Sequence, residues 1–358
     1  MTALDAAAAP LRRLAFEIPD DMVATEPPEA RGLARDEVRL LVAGDGVVRH
    51  VLFHDLASLL DPGDLLVVNT SATLPAAVDG RAPDGSPTTV HFSSPWSARD
   101  WIVELRLPDG GRNSQGRAGE GIELPGNVWI HLEAAYPDTH LTSGSRLWRA
   151  KISGTRDVED YLHRNGRPIT YGYVKGRWPL AMYQTIFAAE PGSAEMPSAA
   201  RPFSTELVAR LAQHAVVIAP VTLHTGVSSL EAGETPLPER YRVPAATARL
   251  VASTRAGGGR VIAVGTTAAR ALETAAGEDG GIAPASGWTE LVLGPERPSC
   301  VLDGIITGWH DHDASHLELL EAVAGSTTVS TAYREALLHR YRWHEFGDSA
   351  LLLRPRQV

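Results

Sequence analysis

"RVIAVGTTAARALETAA", residues 260–276, holds a strand and a helix with almost nothing between them. Val261-Ile262-Ala263-Val264 is apolar and rich in β-branched residues, as buried strands are. Ala268-Ala269-Arg270-Ala271-Leu272-Glu273 is strongly helix-forming. Only Gly265, Thr266 and Thr267 separate the two. One reading is structural: the glycine turns the chain and a threonine caps the helix, whose first N–H groups lack intrahelical partners. The other is functional: those N–H groups and the positive end of the helix dipole attract a carboxylate or another anion. The GxxxxGK[ST] phosphate loop is absent.

Outward from this stretch the same alternation continues. "FSTELVARLAQHA" reads as a helix with Ser204 as its cap, "VVIAPVTLH" as a strand, and "PAATARLVASTRAGG" as a helix closed by glycines. "STAYREALLHRY" predicts a late helix. Nearer the N-terminus, "VRLLVA" and "VVRHVLF" around Gly44-Asp45-Gly46 form a hairpin signal. "HDLASLL" predicts a short helix and "DLLVVN" a buried strand. Strand–helix alternation implies an α/β layer.

Residues 76–152 differ. Gly, Pro and Ser punctuate short alternating runs such as "TTVHF", "WIVELRL", "GIELPG", "VWIHLEAAY" and "RLWRAKI". Such spacing predicts a small antiparallel β-barrel, filled or rimmed by Trp96, Trp101, Trp129 and Trp148. The expected architecture is a discontinuous α/β domain (1–75 and 153–358) with a mixed sheet, interrupted by a barrel domain at 76–152.

The composition narrows the function classes. Of 358 residues, 44% are hydrophobic and 21% charged, a balance that marks a soluble globular chain. No apolar run reaches membrane-spanning length, and the Ala-rich start carries Asp5 and no positive region, so it makes a poor signal peptide. A single cysteine, Cys300, rules out an internal disulfide framework and any cysteine zinc cluster. The cytoplasm is the expected compartment. The net charge of −10 disfavours general nucleic-acid binding, which needs Lys and Arg against phosphate, although a local basic patch would suffice.

Polar residues gather at strand ends, where α/β proteins place their sites. "VTLHTGVSS" offers His224, Gly226, Ser228 and Ser229, and "VVNTSAT" offers Asn69, Thr70 and Ser71. "ITGWHDHDASH" brings His310, His312 and His316 with Asp311 and Asp313, and "WHEFGDSALLL" brings His344, Glu345 and Asp348. His312 and His316, four apart, would share a helical face. HExxH is absent and no third ligand is assignable, so a loop entering a helix is the simpler reading and no metal is expected. A Ser-His-Asp hydrolase would lack its GxSxG elbow. Each histidine also has a plain alternative as a packed or solvated residue.

In order and spacing these segments resemble the S-adenosylmethionine:tRNA ribosyltransferase-isomerase family of queuosine biosynthesis, over nearly the whole chain. "GGRVIAVGTTAARALE" is similar to a family pattern GGRVIAVGTTSVRTLE, with Gly265, Thr266, Thr267, Arg270 and Glu273 coinciding. "DLASLLDPGDLLVVNTSATLPA" resembles DLxxLLxPGDLLVxNDTRVIPA, "YQTIFA" resembles YQTVYA, and "VTLHTG" resembles VTLHVG. "GWTELVL", "ITGWH" and "EFGDSALLL" look like GxTDIFI, LTNFH and SYGDAMLI. The resemblance implies a mixed α/β domain with an inserted barrel. It implies that adenosylmethionine, a co-substrate, donates its ribosyl carbons to the aminomethyl group of a 7-deazaguanine in tRNA. Adenine and methionine leave, and an epoxycyclopentanediol results. The implied reaction begins with loss of a C5′ proton acidified by the adjacent sulfonium.

On that basis the donor site is expected at 222–226, 264–270 and 307–310. His224, His310 and Asp348 are the catalytic candidates, the two histidines as proton carriers because imidazole titrates near working pH. Asn69, Tyr183, Gln184, Thr222, Gly226, Glu239, Gly265, Thr266, Thr267, Arg270 and Thr307 are the substrate-binding candidates. Which imidazole takes the proton stays open.

The chain also departs from the pattern. Asn-Asp-Thr-Arg is Asn69-Thr70-Ser71-Ala72 here, and a second family Arg is Ala77. APTAGLHFT becomes "MPSAARPFS", with Ala200, Arg201 and Pro202 in place of Gly, Leu and His. Gly-Thr-Phe becomes Ser228-Ser229-Leu230, and HxMHxE shortens to "PLPERYRVP", which keeps Glu239. Asn-Phe-His becomes Gly308-Trp309-His310, followed by Asp311-His312. Lost arginines and gained aspartates weaken phosphate binding. These changes fit a divergent member or paralogue that keeps its donor and binds tRNA poorly, unless Arg201, Arg240 and Arg242 share a face. A small-molecule acceptor, a non-catalytic adenosylmethionine-binding protein and a hydrolase are the alternatives.

Overall fold

The structure, a computed structural model, describes residues 16–227, 237–277, 279–311 and 315–355. Ser228, Ser229, Leu230, His312 and Asp313 lie outside the described residues, as do residues 1–15.

The chain opens with the hairpin β1 (Arg39–Gly44) and β2 (Val47–Leu52). Asp45 and Gly46 both take positive φ, 48° and 73°, the backbone that a two-residue hairpin turn requires. "HDLASLL" forms a 3-10 turn, Phe53–Leu59, instead of an α-helix. With Pro62 and Gly63 close behind, it has no room for further turns. Next come β3 (Leu65–Asn69) and the short β4 (Ser71–Thr73).

A closed barrel follows, built from β5 (Ala77–Arg81), β6 (Pro87–Pro95), β7 (Asp100–Arg106), β8 (Gly121–Leu124), β9 (Val128–Tyr136) and β10 (Leu147–Ser153). Every pairing in it is antiparallel. In β9, "VWIHLE" alternates buried and exposed, the period-2 pattern of a strand with one wet face. Trp101 and Trp148 fill the barrel, whereas Trp96 and Trp129 are exposed.

The remainder is α1 (Val158–Asn165), β11 (Glu190–Ser193), α2 (Thr205–Gln213), β12 (Val217–Leu223), β13 (Glu239–Val243), α3 (Ala245–Ala256), β14 (Val261–Val264) and α4 (Thr266–Thr274). Then come β15 (Ala285–Thr289), β16 (Gly304–Thr307), α5 (Ser315–Ala324), α6 (Ser326–Leu338) and β17 (Ser349–Leu353). As expected, Ser204 caps α2, accepting from the Leu207 N–H at 3.1 Å. The late helix predicted over "STAYREALLHRY" starts one turn earlier, at Ser326, and ends at Leu338, before His339, Arg340 and Tyr341.

Nine strands form one mixed sheet in the order β15-β13-β12-β3-β14-β16-β17-β1-β2. Its centre, β12, β3, β14 and β16, is parallel. That is why β3 and β14 are apolar throughout: helices and turns cover both faces. One face packs on α4, α5 and α6 through Leu272, Leu320 and Tyr333, and the other on α2 and the 3-10 turn through Leu207 and Phe53. The strand ends that carried the polar motifs therefore emerge along one edge of the central sheet. No helix among the described residues is long and apolar enough to cross a membrane.

Candidate active site

Three segments that follow central strands meet at one cavity of about 240 Å³. Thr225 and Gly226 come after β12, Gly265, Thr266, Thr267 and Arg270 after β14, and Thr307, the last residue of β16, leads into Gly308, Trp309 and His310. The Gly265 φ of 91° turns β14 into α4, and Gly265 offers no side-chain cap. The first N–H groups of α4 have no intrahelical partner, and Thr266 and Thr267 at that end line the cavity. Here the glycine serves the turn and the threonines serve the cavity.

Of the sequence-derived candidates, Tyr183, Gly226, Glu239, Gly265, Thr266, Thr267, Arg270, Thr307 and His310 line this space. Arg270 and Glu239 form an ion pair. Glu239 also accepts from the Gly226 N–H at 3.2 Å, and the Arg270 Nε–H donates to the Leu291 carbonyl at 3.1 Å. Burial pushes the Glu239 carboxyl up, and Arg270 opposes that push.

His310 Nε2 lies 3.1 Å from the Thr307 hydroxyl, and its ring sits 4.5 Å from that of His316. Burial, reinforced by His316 and His344, holds the His310 imidazole well below the usual histidine range, so it is neutral. Burial brings His316 down to about 4. His344, at a positive φ of 71°, is lowered as well, by burial.

Five candidates stand behind the wall. His224 is buried with its Nδ1 2.8 Å from the Ser71 hydroxyl, which lies 2.6 Å from the Ser193 hydroxyl. Gly192 passes so close that a Cβ there would collide with the His224 ring. This packing lowers the His224 pKa to about 4 through burial and makes the residue part of the frame. Asp348 accepts from the Arg39 backbone N–H at 2.9 Å, the Arg39 guanidinium at 2.8 Å and the Arg342 N–H at 2.7 Å. Its carboxylate is spent on joining β1 to β17, not on the cavity. Asn69 bonds the Leu223 backbone, Gln184 bonds the Thr73 backbone in both directions, and Thr222 meets Thr70 at 3.2 Å. All three hold the strand ends in place.

The cavity also contains residues outside that candidate set: Tyr171, Tyr173, Glu195, His316, His344 and Glu345. Tyr171 and Tyr173 lie in "ITYGYVKG", which has neither strand nor helix period, so only the tertiary fold brings them in. His316, His344 and Glu345 belong to the polar clusters noted above, but nothing in their spacing separated them from Asp348. The basic patch does not assemble. Arg201 is buried, bonded to Glu29 at 2.8 Å and stacked over Phe346, while Arg240 and Arg242 point outward together from β13. Among the described residues, the His/Glu cluster compact enough for a metal is His50 on β2, Glu335 on α6 and His339 just past the end of α6, outside the cavity lining.

A sequence profile described as "Queuosine biosynthesis protein" matches residues 11–352. The S-adenosylmethionine:tRNA ribosyltransferase-isomerase of Gloeobacter violaceus is 35% identical over 350 residues, covering 94% of each chain. The enzyme of that name from Pelotomaculum thermopropionicum is 34% identical over 359 residues, covering 94% of this chain and 98% of its own. The crystal structure of S-adenosylmethionine tRNA ribosyltransferase from Thermotoga maritima aligns with a TM-score of 0.53 at 26% identity, over 96% of this chain and all of that one. A mixed sheet with an inserted closed barrel, a cavity at its strand ends and full-length similarity agree: the chain belongs to the queuosine biosynthesis protein family.

Proposed function

We propose that this protein is an S-adenosylmethionine-dependent ribosyltransferase-isomerase. It transfers and isomerises the ribosyl group of adenosylmethionine onto the aminomethyl group of a 7-deazaguanine, releasing adenine and methionine. The relatives' name supports the donor and the reaction type. The carrying observation in this chain is the convergence of Thr225–Gly226, Gly265–Arg270 and Thr307–His310 on one cavity.

The chemistry divides along the wall. The start of α4, with Thr266 and Thr267, suits the donor's carboxylate or ribose hydroxyls. We assign removal of the C5′ proton to His310, which ends the β16 segment, is neutral, lines the cavity and has its ring oriented by Thr307; His316 and His344 line the same space and come second in the assignment. His224 supports the wall from behind. Arg270 and Glu239 hold α4 against β13, which keeps the Gly226 turn in register.

The acceptor base is carried by tRNA in the relatives' name, and tRNA is the default acceptor here. A free deazaguanine is the second reading, favoured by the engagement of Arg201 within the protein. The cytoplasm, which supplies both donor and acceptor, is the expected compartment.

The test is adenine and methionine release from adenosylmethionine, with 7-aminomethyl-7-deazaguanine supplied free and in tRNA. His310→Ala is expected to lower turnover by roughly 10²- to 10⁴-fold, the usual contribution of a general base. Undiminished release by His310→Ala removes His310 from the mechanism, and no release by the wild-type protein with either acceptor removes the enzyme reading.

A further inference from the structure

The cavity is more acidic than its role in holding a carboxylate requires. Its lining contains three carboxyl groups, Glu195, Glu239 and Glu345, against one guanidinium, that of Arg270. Arg270 is committed to Glu239. The other two carboxyls line the cavity together with an aromatic stack. Tyr171 and Tyr173 are stacked at 5.9 Å and 20°, and Tyr173 stacks on His344 at 4.3 Å and 19°. Each tyrosine points its hydroxyl at one carboxyl: Tyr171 donates to Glu195, and Tyr173 donates to Glu345 at 2.5 Å.

A third hydroxyl marks the same lining as incomplete. Tyr183 is only 3% exposed and lines the cavity, and its hydroxyl has no hydrogen-bond partner among the described residues. A buried hydroxyl left unbonded is costly unless a ligand completes it. The histidines nearby are neutral, so they do not offset the carboxylates. Burial raises the Glu345 carboxyl more than the Tyr173 hydrogen bond lowers it, which a bound cation would reverse.

We propose that Glu195, Glu345 and Tyr183, with the Tyr171–Tyr173 stack, form a subsite for a cationic group of the bound ligand. Carboxylates supply charge-assisted hydrogen bonds or a counter-charge, and the ring faces add cation–π attraction. Two sources carry that chemistry: the sulfonium of adenosylmethionine and the aminomethyl ammonium of the deazaguanine. The inference rests on the function proposed above and specifies its substrate recognition.

Calorimetric titration tests it in two arms. The donor arm compares adenosylmethionine with adenosylhomocysteine, which lacks the sulfonium charge. The acceptor arm compares 7-aminomethyl-7-deazaguanine with its neutral 7-cyano analogue. In at least one arm the wild-type protein is expected to prefer the cation by roughly 10- to 100-fold, the range of hydrogen bonds to charged groups. That arm identifies the source. Glu195→Gln and Glu345→Gln should each reduce the preference, and the double variant should abolish it while leaving the neutral analogue's affinity unchanged.

Wild-type protein that binds these ligands but shows no cation preference in either arm overturns the subsite and leaves the enzyme reading intact. A preference that survives in the folded double variant also overturns it. Failure of the wild type to bind any of the four compounds overturns both. The wild-type comparison needs no variant, so a misfolded substitution does not shield the proposal.

Discussion

The Asn69 side-chain amide lies 3.2 Å from the Thr267 hydroxyl while it clamps the Leu223 backbone, donating to its carbonyl at 2.8 Å and accepting its N–H at 3.0 Å. One fully buried residue thereby joins β3 to β12 and sets a threonine of the cavity wall. Asn69→Ala strands buried backbone groups of Leu223 and Ser71, each loss costing about 1–3 kcal/mol. The expected result is a lower urea midpoint together with weaker adenosylmethionine binding. Denaturation and calorimetry on the same preparation check it, and unchanged donor affinity in a destabilised protein would separate the clamp from the site.

The Arg270–Glu239 pair makes a sharper prediction about α4. Arg270→Met leaves the buried Glu239 carboxylate with the Gly226 N–H but without its guanidinium. Breaking one side of such a buried pair costs about 3–5 kcal/mol. Glu239→Gln in the same protein removes the stranded charge and is expected to restore much of the loss. A double-mutant cycle on unfolding free energy reads the coupling, and additive losses would show that the two groups act independently.

Stability should fall on mild acidification. His224 and His316 are held at about 4 in the folded protein, below the ordinary value of 6.5, each chiefly by burial. Between those values the unfolded chain binds protons that the folded chain refuses, so stability present above pH 6.5 is lost as pH drops toward 4. The slope is about 1.4 kcal/mol per pH unit for each imidazole. A second loss follows in the barrel. Burial there raises the Glu104 carboxyl, but hydrogen bonds from His91 and Arg106 outweigh it and hold the group at about 2. Its contribution disappears from about 4.5 downward. Urea midpoints across pH 7.5 to 4 test this, and a flat profile above pH 5 would contradict the burial of both imidazoles.

The sequence revealed the fold more fully than the site, for a physical reason. Periodicity is local, so the apolar β3 and β14, the alternating β9 and the Ser204 cap are all readable along the chain. The three strand-end segments are readable too, because glycine and threonine mark the turns. The rest of the lining is not. Tyr171 and Tyr173 reach the cavity on an irregular segment, and Glu195 and Glu345 stand 150 residues apart in sequence yet on one surface. His224 and Asp348 illustrate the converse: polar residues at strand ends that the fold spends on its own hydrogen bonds.

tRNA binding is expected to be weak. Ala72 and Ala77 stand where the family pattern has arginine, and Asp311 adds negative charge beside the cavity segment 307–310. Arg201 cannot compensate, since it is buried against Glu29 and the Met182 carbonyl. Arg242 is paired with Glu190, which leaves Arg240 as the cation of β13 with no partner among the described residues. Each phosphate that goes without a cationic partner forfeits counterion release along with a hydrogen bond, so the deficits compound. Labelled tRNA bearing the deazaguanine, titrated at low and physiological salt, decides the matter. The expected isotherm is weaker than micromolar with a shallow salt slope, alongside retained adenosylmethionine binding, which would direct the search to a small acceptor. Micromolar or tighter binding that falls steeply with salt would mean that another basic surface replaces the missing arginines, and that tRNA remains the acceptor.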